Sequence, residues 1–166
     1  MEKVMFGAGC FWGVESAFRQ IPGVEEAICG YSGGHTDNPT YREVCGYGTG
    51  HAEVIEVTFD PNVVSFERLC EAFFAIHDPT QFNRQGPDIG DQYRSAIFFY
   101  DDAQKATATA VRDQLEAARR FPRPIVTEIS PANTFWRAEE YHQRYFEKHG
   151  GAHCHFVPPE FTRRHH

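Results

Sequence analysis

Short apolar runs at strand period alternate along this chain with longer stretches at helical period, and turn residues punctuate most junctions. Lys3 to Gly9 is apolar enough for a buried strand. From Phe11 to Gln20, Trp12, Val14, Ala17, Phe18 and Ile21 recur as one helical stripe, which Pro22-Gly23 terminates. Val24 to Tyr31 reads as a second strand closing at Ser32-Gly33-Gly34, and Ala52 to Phe59 as a third, turning at Asp60-Pro61-Asn62. Ser65 caps a predicted helix carrying Phe66, Leu69, Phe73 and Ile76. Ser95 to Tyr100 is a further strand, and Asp101 and Asp102 offer capping oxygens to a helix over Ala103 to Arg120. A β-branched strand over Ile125 to Ile129 and a short helix over Ala138 to Lys148 follow, the helix ending at Gly150-Gly151. Residues 34–50 and 77–92 read as long polar loops, and loops of that length are usually functional. The order β-α-β-β-α-β-α-β-α predicts an α+β fold: a mixed α/β sandwich with a mixed sheet flanked by helices and an irregular C-terminal tail. At 166 residues, with no repeat, linker or break in composition, one domain is expected over 1–166.

Charge and composition exclude several function classes. The net charge is −7 and no basic stripe occurs, which argues against a nucleic-acid partner. No apolar run approaches the roughly 20 residues of a membrane span. An acidic residue at position 2 and the lack of a long apolar stretch at the start argue against a signal peptide, so a cytoplasmic location is expected. Cysteines stand at 10, 29, 45, 70 and 154 without a C-x-x-C or a familiar zinc spacing, so no resident metal is expected. A cytosolic chain of this length needs no structural disulfide, so each thiol is either a core residue or a reactive one.

Cys10 stands at the first strand-to-helix junction, where the opening N–H groups of a helix lack internal partners and favour an anion. Thiol pKa values fall at such places. Gly7 and Gly9 would leave a reactant room to approach the sulfur. Phe11 and Trp12, next in the chain, either wall an apolar slot or simply cap the core. On strand parity Glu53 shares a face with Ile55, Val57 and Phe59, whereas Glu56 sides with Val54 and Thr58. A carboxyl on that apolar face would be desolvated and hold its proton; the competing reading is an exposed carboxylate at a fraying strand end.

The stretch Gly9-Cys10-Phe11-Trp12-Gly13-Val14-Glu15 resembles the signature of the peptide methionine sulfoxide reductase A family. The resemblance continues through Gly30 to Gly34, Asn38 to Cys45, Thr49 to Glu53, His77 to Gln81, Asn83 to Asp88, Gln92 to Ala96 and Glu140 to Tyr145, in the family's order over most of the chain. It implies a thiol-dependent reduction of methionine S-sulfoxide, free or in oxidised proteins, to methionine. Such chemistry serves protein repair under oxidative stress and needs no bound cofactor.

By that resemblance Cys10 attacks the sulfoxide sulfur, Glu53 protonates its oxygen, and Tyr41 and Tyr93 donate hydrogen bonds to the oxygen. Asp88 organises the loop or an ordered water, and Phe11 and Trp12 hold the methyl group. Cys154, matched by its distance from His142-Gln143, resolves the Cys10 sulfenic acid as a disulfide, which thioredoxin (or dithiothreitol in vitro) reduces. Cys29, Cys45 and Cys70 read as small buried hydrophobes.

Two other readings compete. A cysteine hydrolase or acyltransferase would pair Cys10 with His35 or His51 as base. A non-enzymatic thiol or metal-binding module would use His153-Cys154-His155 with Cys45 or His51, although adjacent ligands strain one tetrahedral site.

Overall fold

The computed structural model describes residues 1–46, 48–150 and 155–163. In its first half β1 (Glu2–Ala8), α1 (Phe11–Arg19), β2 (Val24–Ser32), α2 (Tyr41–Cys45), β3 (Ala52–Phe59) and α3 (Phe66–Ala75) follow in turn. A small hairpin, β4 (Arg84–Gln85) and β5 (Asp88–Ile89), leads to β6 (Ser95–Phe99), α4 (Asp102–Ala117), β7 (Glu128–Pro131) and β8 (Trp136–Arg137). Two short helices, α5 (Tyr145–His149) and α6 (Pro159–Thr162), lie in the C-terminal part.

The main sheet runs β7-β6-β1-β3-β2-β8, with β7 parallel to β6 and the other pairs antiparallel. This is the mixed, helix-flanked sheet of the expected α+β sandwich. The parallel step requires a crossover, which α4 supplies. Side chains alternate across the pleat. Val4, Phe6 and Ala8 join Ile55, Val57 and Phe59 in the large core with α1 and α3, whereas Met5, Ala52, Val54, Ala96 and Phe98 form a smaller cluster with Ala132 and Phe135. Phe6 stacks on Phe18 of α1 at 4.9 Å and on Phe73 of α3 at 5.1 Å, fastening both helices to the central strand. The capping residues act as anticipated: Ser65 Oγ accepts from Arg68 N at 3.0 Å and Asp101 Oδ1 from Gln104 N at 2.8 Å.

Four segments depart from the sequence reading, each for a local reason. The 34–50 loop contains α2, started by a reciprocal cap in which Thr40 Oγ1 accepts from Glu43 N and the Glu43 carboxylate accepts from Thr40 N. The 77–92 loop contains the β4–β5 hairpin and a 3-10 turn over Asp91–Tyr93. The strand expected over Ile125 to Ile129 begins only at Glu128. Upstream, the Ile125 N–H is taken by the Glu116 carboxylate and the Val126 N–H by Pro79 O, so neither can pair with β6. The helix expected over Ala138 to Lys148 is broken into a 3-10 turn, Glu140–His142, and α5. Arg144 between them is left-handed (φ 54), and its N–H donates to the buried Glu15 carboxylate at 3.0 Å.

Gln143, in that break, is buried and spans to β2: its Oε1 accepts from Cys29 N and its Nε2 donates to Cys29 O, both at 2.9 Å. Replacing it with Leu would leave the buried Cys29 N–H without an acceptor. Gln143→Leu is predicted to cost about 1–3 kcal/mol, read as a lower urea midpoint at unchanged m-value.

Candidate active site

Cys10 is the residue at which β1 ends and α1 begins. Its carbonyl accepts from Gly13 N and Val14 N at 3.2 and 3.3 Å, while its side chain makes no cap bond. The sulfur of a half-buried cysteine therefore sits at the end of a nine-residue helix whose first N–H groups point outward. The first of these, Phe11 N–H, donates to Glu53 Oε1 at 3.2 Å. The strand ladder makes this contact: β3 runs antiparallel to β1 with Phe6 opposite Ile55, so Glu53, two residues on and on the same face, comes level with the end of β1.

Glu53 is 1% exposed, and its Oε2 has no hydrogen-bond partner among the described residues. Burial pushes its pKa up to about 8; the Phe11 N–H opposes that rise and the negative charge of Asp88 adds to it. At neutral pH the carboxyl is protonated, and its uncommitted oxygen is placed to give that proton away. A neutral carboxyl also leaves the positive helix end to a thiolate, whereas a carboxylate would compete with it.

Tyr41 opens α2, and its ring lies 6.3 Å from Phe11, 18° from parallel. Tyr93 ends the 3-10 turn after the β4–β5 hairpin. Burial raises both phenols above their ordinary pKa, and the nearby Glu53 adds to each shift. Both are therefore protonated donors. Asp88, half-buried on β5, lines a cavity of about 310 Å³ with Cys10, Ile76, Gln85, Gly86, Pro87 and His155. Phe11 is buried against Tyr31 and Tyr41, and half-buried Trp12 stacks on Tyr145 at 3.8 Å. Cys10, Glu53, Tyr41, Tyr93, Asp88, Phe11 and Trp12 thus gather at one helix end. Cys154 lies outside the described residues.

Several expectations need correction. Gly7 and Gly9 do not open a path to the sulfur: a Cβ on Gly9 would meet the Gln85 side chain at 2.9 Å, and Gly13 in the helix that follows is packed as closely on the His155 ring. Gly7 abuts the backbone carbonyls of Arg94 and Glu53. These glycines admit the protein's own chain. Cys45 is not a buried core thiol; it is half-buried in α2, where burial raises its pKa and the Tyr41 and Tyr93 side chains oppose that rise. Cys29 and Cys70 are buried, and burial pushes both thiols up, as inert core residues require.

His51, the candidate base of a hydrolase, spends both ring nitrogens on its own loop: Nδ1 accepts from Gly34 N at 3.0 Å and Nε2 bonds Thr36 O at 2.7 Å. Among the described residues no group of three or more His, Cys, Asp or Glu side chains gathers to hold a metal ion. Nor is any described helix long and apolar enough to cross a membrane.

Sequence reasoning gave Glu139 and His142 no role in the site and took His155 only as a metal ligand of the competing reading. Glu139 Oε2 accepts from Tyr41 N at 3.0 Å and its Oε1 from the Tyr31 phenol at 2.8 Å. His142 Nδ1 accepts from Trp12 Nε1 at 2.9 Å. His155 Nε2 bonds Ala8 O at 2.6 Å, beside Cys10. Each lies more than 90 positions from its partner, and a single sequence carries no signal for such pairing.

Comparison with known proteins places the chain in a family. The family profile described as peptide methionine sulfoxide reductase matches residues 2–165. A peptide methionine sulfoxide reductase MsrA of Acidobacterium capsulatum is 63% identical over 155 residues, covering 93% of this chain and 99% of the relative. The crystal structure of reduced Mxr1 from Saccharomyces cerevisiae superposes with a TM-score of 0.87 at 36% identity, over 94% of this chain and 91% of that one. The crystal structure of Mxr1 in complex with Trx2 matches with a TM-score of 0.64 at 25% identity, over 94% of this chain and 88% of that one. With a profile spanning nearly its whole length and so near a relative, the chain belongs to the peptide methionine sulfoxide reductase family and is an oxidoreductase acting on methionine sulfoxide.

Proposed function

We propose that this chain, working as one catalytic domain over residues 1–166, reduces methionine S-sulfoxide through a Cys10 sulfenic acid. The observation that carries the reading is the buried, protonated Glu53 with one unspent oxygen beside the helix end that Cys10 occupies. A sulfoxide sulfur is electrophilic, but its oxygen leaves poorly without a proton. The Cys10 thiolate attacks sulfur, Glu53 delivers its proton to the oxygen, and the Tyr41 and Tyr93 phenols hold that oxygen by hydrogen bonds. Oxygen passes to Cys10, giving its sulfenic acid and methionine; the sulfoxide is reduced by two electrons and the thiol oxidised by two. Asp88 shapes the loop over the cavity, and Phe11 and Trp12 supply apolar walls for the methyl group.

The Cys154 thiol then displaces water from the sulfenic acid to form a disulfide with Cys10. A thioredoxin returns both thiols by exchange, a role supported by the yeast relative crystallised with Trx2. No bound cofactor enters this cycle. A cytoplasmic location, where such a reductant is present, suits it.

The deciding assay offers each epimer of methionine sulfoxide with dithiothreitol and measures methionine; the S epimer alone is expected to be consumed, and ester turnover in its place would favour a hydrolase. Because the Glu53 proton is held below about pH 8 and lost above it, the rate constant for reduction is predicted to fall as pH rises through 8. Glu53→Gln should be slower by about 10²–10⁴-fold below that pH, the gap closing at alkaline pH. A variant whose profile matches the parent would remove Glu53 from the acid role.

With thioredoxin as reductant, Cys154→Ser is expected to yield about one methionine per chain and then stall, and Cys10→Ser none. Sustained turnover by Cys154→Ser, followed as methionine against time, would assign resolution to another thiol.

A further inference from the structure

Trp12 is held from two directions. Its face stacks on Tyr145 at 3.8 Å, 6° from parallel, and its indole Nε1–H donates to His142 Nδ1 at 2.9 Å. His142 is fully buried, with its ring 5.0 Å from Phe11 and 4.5 Å from Tyr41. An indole nitrogen can only donate, so Nδ1 presents its lone pair and the ring hydrogen sits on Nε2. That Nε2 is buried and finds no partner among the described residues. The arrangement therefore fixes one tautomer of a neutral ring at the junction of the apolar wall and the phenol wall.

Glu139 holds the backbone of Tyr41 from the same turn, so both walls hang on residues 139–142. We propose that His142 is a positioning residue: as a neutral acceptor it sets the plane of the Trp12 indole and thereby the affinity for the sulfoxide's methyl side. This rests on the sulfoxide-reductase reading of the site.

The role has a built-in acid limit. Protonation would place a hydrogen on Nδ1, facing the indole N–H donor to donor, and the bond would be lost. The groups facing His142 are the uncharged Phe11 and Trp12 of α1, Tyr41 of α2, and Glu139 and Tyr141 of its own turn. Glu139 favours the charged ring, but burial outweighs it and holds the His142 pKa below its ordinary value. The imidazole is thus neutral at neutral pH and charges only in acid.

Trp12 and Trp136 are the two tryptophans of the chain, so Trp136→Phe leaves Trp12 as the sole indole. Contact with an imidazolium quenches indole emission. Emission of the Trp136→Phe protein should fall in acid, below the range in which an ordinary imidazole charges, and the added His142→Phe should abolish that titration. In steady-state assays at pH 7.5, His142→Phe should raise KM for methionine sulfoxide about tenfold, with kcat changed far less. His142→Gln, which keeps an acceptor, should restore most of the affinity.

An emission that does not titrate, or a parental KM in a folded His142→Phe protein, would overturn the proposal. If His142→Phe fails to fold, the titration of Trp136→Phe alone decides. Titration without sulfoxide turnover would instead overturn the reductase reading, since the ring coupling would then be present without its reaction.

Discussion

One helix end serves two acidic groups, and it can favour the negative charge of only one of them at a time. Cys10 caps α1, and Glu53 reaches the first N–H of the same helix from the neighbouring strand. Because Glu53 is walled in by the large core, its neutral form wins, and the positive end is left for sulfur. The rest of the architecture keeps this pairing in register. The antiparallel β1–β3 ladder brings the carboxyl level with the junction, and Phe6, stacked between Phe18 and Phe73, fixes the helix layer above the strand.

The C-terminal third contributes less to the core than to the alignment of the site. The Gln143 side chain binds the Cys29 backbone, Glu15 captures Arg144, Glu139 seats Tyr41, and His142 seats Trp12. Each of these is a polar side chain directed at a group on a distant element. Together they explain why the segment sacrifices helical continuity: a regular helix would keep the Arg144 N–H for itself, and the break releases it to Glu15.

Much of this was readable in the residues. The strands around Phe6, Ile28, Val57 and Ile97 and the helices capped by Ser65 and Asp101 follow from periodicity and capping chemistry, which are local. The inward direction of Glu53 agrees with parity along β3, which by itself left an exposed strand-end carboxylate open until the family resemblance favoured the buried one. What escaped was non-local. The strand at Ile125 was cut short because Glu116 and Pro79 claim its N–H groups, and the helix after Ala138 gave way to side-chain bonds with β2 and α1. The α2 cap, Thr40 with Glu43, was local and legible, but the Gly- and Pro-rich surroundings hid a helix of five residues. The glycines around Cys10 show a different limit, since sequence reveals that space is needed there but not whether substrate or chain fills it.

The seating of Glu53 also bears on the durability of the fold. A carboxyl that keeps its proton to about pH 8 when folded, against an ordinary value of 4.5, binds more hydrogen ions in the native chain than in the denatured one between those limits. Conformational stability accordingly erodes as the medium turns from mildly acidic to alkaline, by several kcal/mol at most (about 1.4 for each pH unit crossed). The two losses are therefore staggered: this seat gives up its support for the fold between about pH 4.5 and 8, while the carboxyl still holds its proton, and the chemistry fails only beyond that point.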